Sequence, residues 1–260
     1  MKDNPALHVV KIGGALIDDP EKLEELLNGF ASLPGNKILV HGGGKQASAL
    51  SSRLGLQPIM VEGRRITDEA TLDIAIMVYA GLLNKRISAW LNGHRIRAIG
   101  VSGADLNLIV SHKRSPEPID FGFVGDVDQI QTDRVIQIIQ LGWVPVFCAI
   151  TYDGKGQLLN TNADTIATEL SLALLNDYNI HLQYISDTPG VLRDLNDRTS
   201  TIPFLELKNY QAFKKNGTIG GGMIPKLDNA FLAIDQGIRS IWISDVVRTP
   251  DHQAKGTLIR

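Results

Sequence analysis

Short apolar runs alternate with amphipathic helical stretches along most of the chain. Leu7–Ile12 reads as a first strand, ended by Gly13 and Gly14. Asp19 then offers a helix cap with Pro20 in the first helical position. Leu23, Leu26, Leu27 and Phe30 follow at helical spacing as one apolar stripe. Lys37–His41 is a second strand, and the triple glycine 42–44 opens a helix carrying Ala47, Leu50 and Leu54. Thr67 caps a third helix, in which Ala70, Ile74, Met77, Val78 and Gly81 share a face. Further strands are predicted at Ile96–Val101, Val144–Ile150, Ile180–Ser186 and Ser240–Ser244. Between them lie the stripes Ile166, Ala167, Leu170, Ala173, Leu174 and Leu227, Ala230, Phe231, Ile234.

This strand–helix–strand rhythm argues for an α/β fold with a mainly parallel central sheet covered on both faces. In such sheets ligands sit beyond the carboxyl ends of the strands. The polar, proline-containing segments Ser111–Phe123 and Asp194–Thr201 read as a hairpin region and a loop. A soft boundary near Leu175–Asn179 divides an N-terminal lobe, residues 1–176, from a smaller C-terminal one, residues 177–260.

Composition narrows the picture. A hydrophobic fraction of 43% and a charged fraction of 21% are those of an ordinary globular protein. The formal net charge of −2 and the absence of long basic runs give no reason to expect a nucleic-acid partner. Apolar stretches fall short of the ~20 residues a membrane span needs, and no signal pattern opens the chain, so a cytoplasmic protein is expected. Cys148, the single cysteine, lies in an apolar run and reads as a buried small residue.

The candidate chemistry lies in three glycine clusters: Lys11-Ile12-Gly13-Gly14, His41-Gly42-Gly43-Gly44-Lys45 and Gly220-Gly221-Gly222-Met223-Ile224-Pro225-Lys226. Glycine lets backbone N–H groups approach a ligand closely, and lysine adds a full positive charge suited to phosphate. A strand-end lysine often just reaches solvent, and a glycine turn often just joins strand to helix. Three clusters together point to a highly anionic ligand. The second is neither a P-loop nor a dinucleotide fingerprint, because both spacings are absent. His41 reads as a structural residue rather than a catalytic base.

Asn162 suits a helix N-cap, with Asp164 in the first turn, which explains both locally. It leaves Asn160 unexplained. An aspartate between two lysines could instead hold both cations, with Asn160 binding substrate. Arg64 and Arg65 precede a helix and are either solvated charge or a carboxylate clamp. Ser186–Leu192 follows a strand and could contact a nucleotide. Lys226 sits near a helix start, against the dipole, which favours a functional role.

Taken in order, these motifs resemble the amino-acid kinase family nearly end to end. The markers are Val40–Gly44, Gly63-Arg64-Arg65-Ile66-Thr67, Phe123-Val124-Gly125-Asp126-Val127, Asn160–Asp164 and Gly221–Lys226. The resemblance implies a three-layer αβα sandwich that phosphorylates the γ-carboxylate of N-acetyl-L-glutamate with ATP, a step of arginine biosynthesis. It implies that Lys11 and Lys226 stabilise the transferring phosphoryl group while Asp164 organises both lysines. Gly43, Gly44, Arg65 and Asn160 would bind the acylated glutamate in the N-terminal lobe. Gly13, Gly14, Asp187, Gly190, Leu192, Thr218, Gly220, Gly221 and Gly222 would meet ATP. Mg2+ would come with the nucleotide, with no metal site of the protein's own.

Arg64 departs from the apolar residue common at its position in the family, and a succinylated glutamate with an extra carboxylate would suit it. Leu106 stands where glycine often follows the aspartate, so a local change of loop shape is expected. Only ten residues precede Lys11. The resemblance therefore implies a homodimer without arginine feedback, paired through the Thr67–Leu82 stretch. The rival readings are another kinase of the family, acting on carbamate, glutamate, aspartate or a nucleoside monophosphate, a non-catalytic ligand-binding regulator, and a nicotinamide-dependent oxidoreductase.

Overall fold

Parallel strands buried on both faces form the centre of the molecule, as the apolar runs dictate. The computed structural model describes residues 4–61, 64–249 and 256–260, so Gly63 of the Arg64–Arg65 motif lies outside the described residues. Its first strands are β1 (Ala6–Ile12), β2 (Asn36–His41), β3 (Met60–Val61), β4 (Arg64–Arg65), β5 (Ala98–Val101), β6 (Ile109–Lys113) and β7 (Gly125–Ile130). Then come β8 (Val144–Cys148), β9 (Ile150–Tyr152), β10 (Leu158–Asn160), β11 (Asn179–Ile185), β12 (Phe204–Leu205), β13 (Ile241–Ser244) and β14 (Thr257–Ile259). The helices are α1 (Gly14–Ile17), α2 (Pro20–Ser32), α3 (Gly44–Arg53), α4 (Glu69–Ile76) and α5 (Asn84–Gly93). They continue with α6 (Thr132–Gln140), α7 (Ala163–Ala173), α8 (Leu207–Lys215) and α9 (Met223–Asp235).

The main sheet runs β12-β14-β13-β11-β1-β2-β8-β5, and each neighbouring pair is parallel except β13 with β14. From Leu7 to Ile12 and from Ile38 to His41 every residue is buried, whichever way its side chain points. Only helices on both faces can bury a strand so completely, and the result is a three-layer αβα sandwich. β6, β7, β9 and β10 form a second, four-stranded sheet, and β3 pairs with β4 as a small hairpin. β1 hydrogen-bonds β2 on one side and β11 on the other, so the sheet runs unbroken across residues 176–177.

Several expectations need correction. Val144–Ile150 is two strands in two sheets, parted at Ala149, because β9 leaves the main sheet to pair with β10 and β6. The cap of α4 is Asp68, which accepts from the Thr71 N–H at 2.8 Å. Thr67 is instead buried, and its backbone bonds Phe121 and Phe123. α4 passes into a π-helical turn, Met77–Leu83, and then into α5. That wider turn rotates the buried face, so Val78, Tyr79 and Leu83 are inside while Met77 is 58% exposed. Leu54 ends α3 as its exposed C-cap rather than packing inward. Leu106 holds the left-handed conformation, φ 50°, that glycine adopts freely.

A polar row crosses three strands near their amino ends: His181 on β11, His8 on β1 and Lys37 on β2 share one register. The histidine rings stack at 5.0 Å, and the Lys37 ammonium caps α2 through the Ala31 and Leu33 carbonyls. Burial first, then the facing His181 and Lys37, push the His8 pKa down to about 4. Between pH 6.5 and 4 the unfolded chain takes up a proton that the native one refuses, so stability is lost as pH falls. At pH 5 this one group costs about 2 kcal/mol. Urea titrations at pH 7 and pH 5 should show the drop, and His8→Leu should shrink it; an unchanged pH dependence would exclude His8 as the cause.

Candidate active site

Strand register builds one rim. Ile12 lies opposite His41 on one side and Ile185 on the other, and His41 lies opposite Cys148. The loops after β1, β2, β8 and β11 therefore leave the sheet side by side at its carboxyl edge. The Gly13 N–H donates to the Ile185 carbonyl at 2.9 Å. A Cβ on Gly14 would sit 3.2 Å from the Gly44 nitrogen, so the first two glycine loops touch. A Cβ on Gly43 would collide with Leu83 and Tyr79. Gly43 and Gly44 are the N-cap and first residue of α3, so their N–H groups lack intrahelical partners.

The third cluster does not follow a strand. Gly220, Gly221 and Gly222 lie between α8 and α9, and among the described residues no atom beyond their chain neighbours comes within 4 Å of where their side chains would begin. Gly222, the N-cap of α9, reaches the rim because α9 packs on α7.

That packing joins three groups distant in sequence. Lys11 Nζ lies 2.9 Å and Lys226 Nζ 2.8 Å from the same oxygen, Asp164 Oδ1. All three side chains are nearly buried. Asn162 caps α7 as expected, accepting from the Asp164 and Thr165 N–H groups at 2.7 and 3.2 Å, which fixes the turn that carries Asp164. Burial pushes the Asp164 carboxyl up, but Lys11 and Lys226 outweigh it and hold the group far below the usual carboxylate range. Burial pulls Lys226 down to about 8, with Asp164 raising it and Lys11 lowering it. The Lys226 ammonium also lies 4.9 Å from the Tyr184 ring centre. Two ammonium groups share one carboxylate, so the cluster keeps a net positive charge for an anionic ligand.

A cavity of about 610 Å³ opens beside this cluster. Of the expected residues, Lys11, Gly14, Gly43, Gly44, Arg65, Asn160, Asp164 and Gly222 line it, whereas Lys226 meets it through Asp164. Arg65 is buried, and its Nη2 donates to the Gly44 carbonyl at 2.8 Å and to Ser48 Oγ at 2.7 Å. Among the described residues its Nη1 is buried without a partner, which leaves a donor for a ligand carboxylate. Asn160 is held by Thr67 at 3.1 Å. Arg64 is exposed and also lines the cavity.

Sequence reasoning missed Arg114, Tyr79 and Ser48, all in the lining. Arg114 pairs with Asp126 and, like Arg65, keeps a buried Nη1 without a partner among the described residues. Its one signal was a lone arginine in the hairpin region.

The remaining expected residues divide. Gly190, Leu192, Thr218 and Gly220 line a second, smaller hollow closed by Met223. Gly190 must be glycine there, because a Cβ would lie 2.7 Å from both Thr201 and Thr257 side chains. Asp187 is exposed just past β11, its carbonyl accepting from Arg198 at 3.1 Å, and lines neither space. Gly13 and Gly221 also line neither.

The sequence profile described as "Amino acid kinase family" matches residues 6–245. An acetylglutamate kinase of Parabacteroides distasonis is 44% identical over 97% of this chain and 98% of its own length. One of Cytophaga hutchinsonii is 48% identical over 91% and 90%. Among solved structures, smu.665 from Streptococcus mutans superposes with a TM-score of 0.79 at 22% identity, covering 100% of this chain and 99% of that one, which speaks to the fold alone.

Proposed function

The chain belongs to the amino acid kinase family, and from that membership we propose that it transfers the γ-phosphoryl group of ATP to the γ-carboxylate of N-acetyl-L-glutamate. The reaction is a step of arginine biosynthesis and yields an acyl phosphate. The observation that carries this reading is the meeting of Lys11 and Lys226 on one oxygen of Asp164 beside a cavity that also exposes Arg65.

A γ-carboxylate has a pKa of ~4.3 and is already ionised at neutral pH, so no general base is required. A carboxylate oxygen attacks the γ-phosphorus, the bond to the β,γ-bridging oxygen breaks, and ADP leaves with the electron pair. No proton moves. The barrier is bringing an anion in line with a triphosphate, which Lys11, Lys226 and backbone N–H groups lower by position and charge.

Residues 1–176 hold the acceptor: the Arg65 Nη1 takes the α-carboxylate, and Gly43, Gly44 and Asn160 take the rest. Residues 177–260 hold ATP. Gly190, Leu192, Thr218 and Gly220 form one part of that site and Asp187 its edge. The open ground over Gly221 and Gly222, with Gly14 and Gly222 lining the same cavity as Lys11, supports a path for the phosphates. Mg2+ carried by the nucleotide would neutralise part of the phosphate charge. Exposed Met77 and Leu82 support pairing of two copies through that stretch into a cytoplasmic homodimer.

A second acceptor has a specific observation in its favour. Arg64 and Arg114 line the same cavity, and the Arg114 Nη1 lacks a partner, which suits a further carboxylate on the acyl group, as in N-succinyl-L-glutamate. An ATP-coupled acyl-phosphate assay across N-acetylglutamate, N-succinylglutamate, glutamate and carbamate tests both readings. Product from acylated glutamates and none from the other two is expected. A clear acetyl preference removes the succinyl reading, and no product from any acceptor leaves a non-catalytic binding protein.

A further inference from the structure

His41, the last residue of β2, is fully buried one residue before the glycines of the acceptor loop. Its Nδ1 lies 2.9 Å from the Gly42 carbonyl oxygen. A carbonyl can only accept, so Nδ1 carries the proton and Nε2 carries the lone pair. Nε2 faces Asn84 Nδ2 at 3.1 Å, and the same amide nitrogen donates to the Val146 carbonyl at 2.8 Å. The Asn84 oxygen accepts from Lys85 Nζ at 3.2 Å, and Lys85 also donates to the Gly100 carbonyl at 2.9 Å. Every donor in this chain of contacts meets an acceptor, which fixes both the histidine tautomer and the amide orientation.

Packing makes room for the network. A Cβ on Gly100 would collide with the Asn84 side chain and lie 2.6 Å from Ser88 Oγ. Asn84 is the first residue after the π-helical turn, whose Tyr79 and Leu83 press on Gly43. The Asn84 N–H donates to the Tyr79 carbonyl across the turn, and Tyr79, Leu83 and Asn84 all reach the end of β2, the first two at Gly43 and the third at His41. Burial keeps the imidazole neutral, with its pKa down at about 4.

We propose that His41 and Asn84 are positioning residues for the acceptor: a neutral imidazole, steadied by Asn84, pins the Gly42 carbonyl and so aims the Gly43 N–H at the substrate. In a planar trans peptide the oxygen and the next N–H point in opposite directions, so holding one sets the other. The inference rests on the kinase reading above, and it adds a reason for histidine at position 41 that simple core packing does not supply.

Two measurements test it. Nitrogen-15 NMR of uniformly labelled protein between pH 6 and 8 should show His41 as the Nδ1–H neutral tautomer. An Nε2–H tautomer or a charged ring overturns the proposal. This readout stands even if the wild-type protein phosphorylates none of the acceptors tried, an outcome that overturns the kinase reading instead. In kinetics with the preferred acylated glutamate, His41→Phe removes both ring contacts and should raise the acceptor KM by about tenfold, leaving the ATP KM within about twofold. His41→Asn places an amide donor where Nδ1 was and should recover most of the loss. Equal defects in the two variants, or a defect shared by the ATP KM, would mean that His41 is only filling space.

Discussion

Lys226→Ala lowers turnover by at least ~100-fold, the scale of losing one donor aimed at the transition state. The fold should survive, because Lys11 still pairs with Asp164 at 2.9 Å. The wild-type enzyme carries a second mark of the same residue. With a pKa near 8, Lys226 in the free enzyme loses its charge as pH rises through that value. A neutral amine offsets no phosphate charge, so kcat/KM for ATP should fall above about pH 8. Lys226→Arg keeps its proton at every accessible pH, so its profile should lose that descending limb at a lower plateau. Near-normal turnover in the alanine variant, or an unchanged limb in the arginine variant, would assign the chemistry elsewhere.

Asp164→Asn should be more damaging still, because one oxygen serves two cations. The amide cannot balance either charge, and two nearly buried ammonium groups now repel each other. Breaking a buried ion pair from one side costs about 3 kcal/mol or more, which thermal or urea unfolding reads directly. Turnover should fall by ~1000-fold, since both lysines lose their placement. The pH profile gives the sharper test. Asp164 raises the Lys226 pKa while Lys11 lowers it, so the variant's alkaline limb must move below pH 8. A limb that stays put would show that Asp164 does not govern Lys226.

The sequence made the rim legible because glycine, proline and capping residues act locally. Asp19 with Pro20, and Asn162 before Asp164, sit where local hydrogen bonding alone puts them. The continuous apolar runs of β1 and β2 announced strands covered on both faces. Residue type suggested an aspartate holding two lysines and family resemblance gave the trio its roles, but the contact itself is made by α7 packing against α9 and β1. What stayed hidden was set by tertiary packing. No composition rule marks Met77–Leu83 as a π-helical turn, and so Tyr79 and Asn84 were assigned no task. Arg114 sits in a polar stretch whose fold depends on the four-stranded sheet. Arg65 looked no more buried than Arg64; the contacts with Ser48 and Gly44 separate them.

β1 hydrogen-bonds the strands on both its sides, with Ile12 level with His41 and Ile185. Adjacent strands stand about 4.8 Å apart, so the spacing between the turn after β2, proposed for the acceptor, and the turn after β11, proposed for the nucleotide, is a property of the backbone ladder. Under the proposed function, replacing the outlying arginines or asparagines should therefore alter which acceptor is taken without relocating the point where phosphorus crosses.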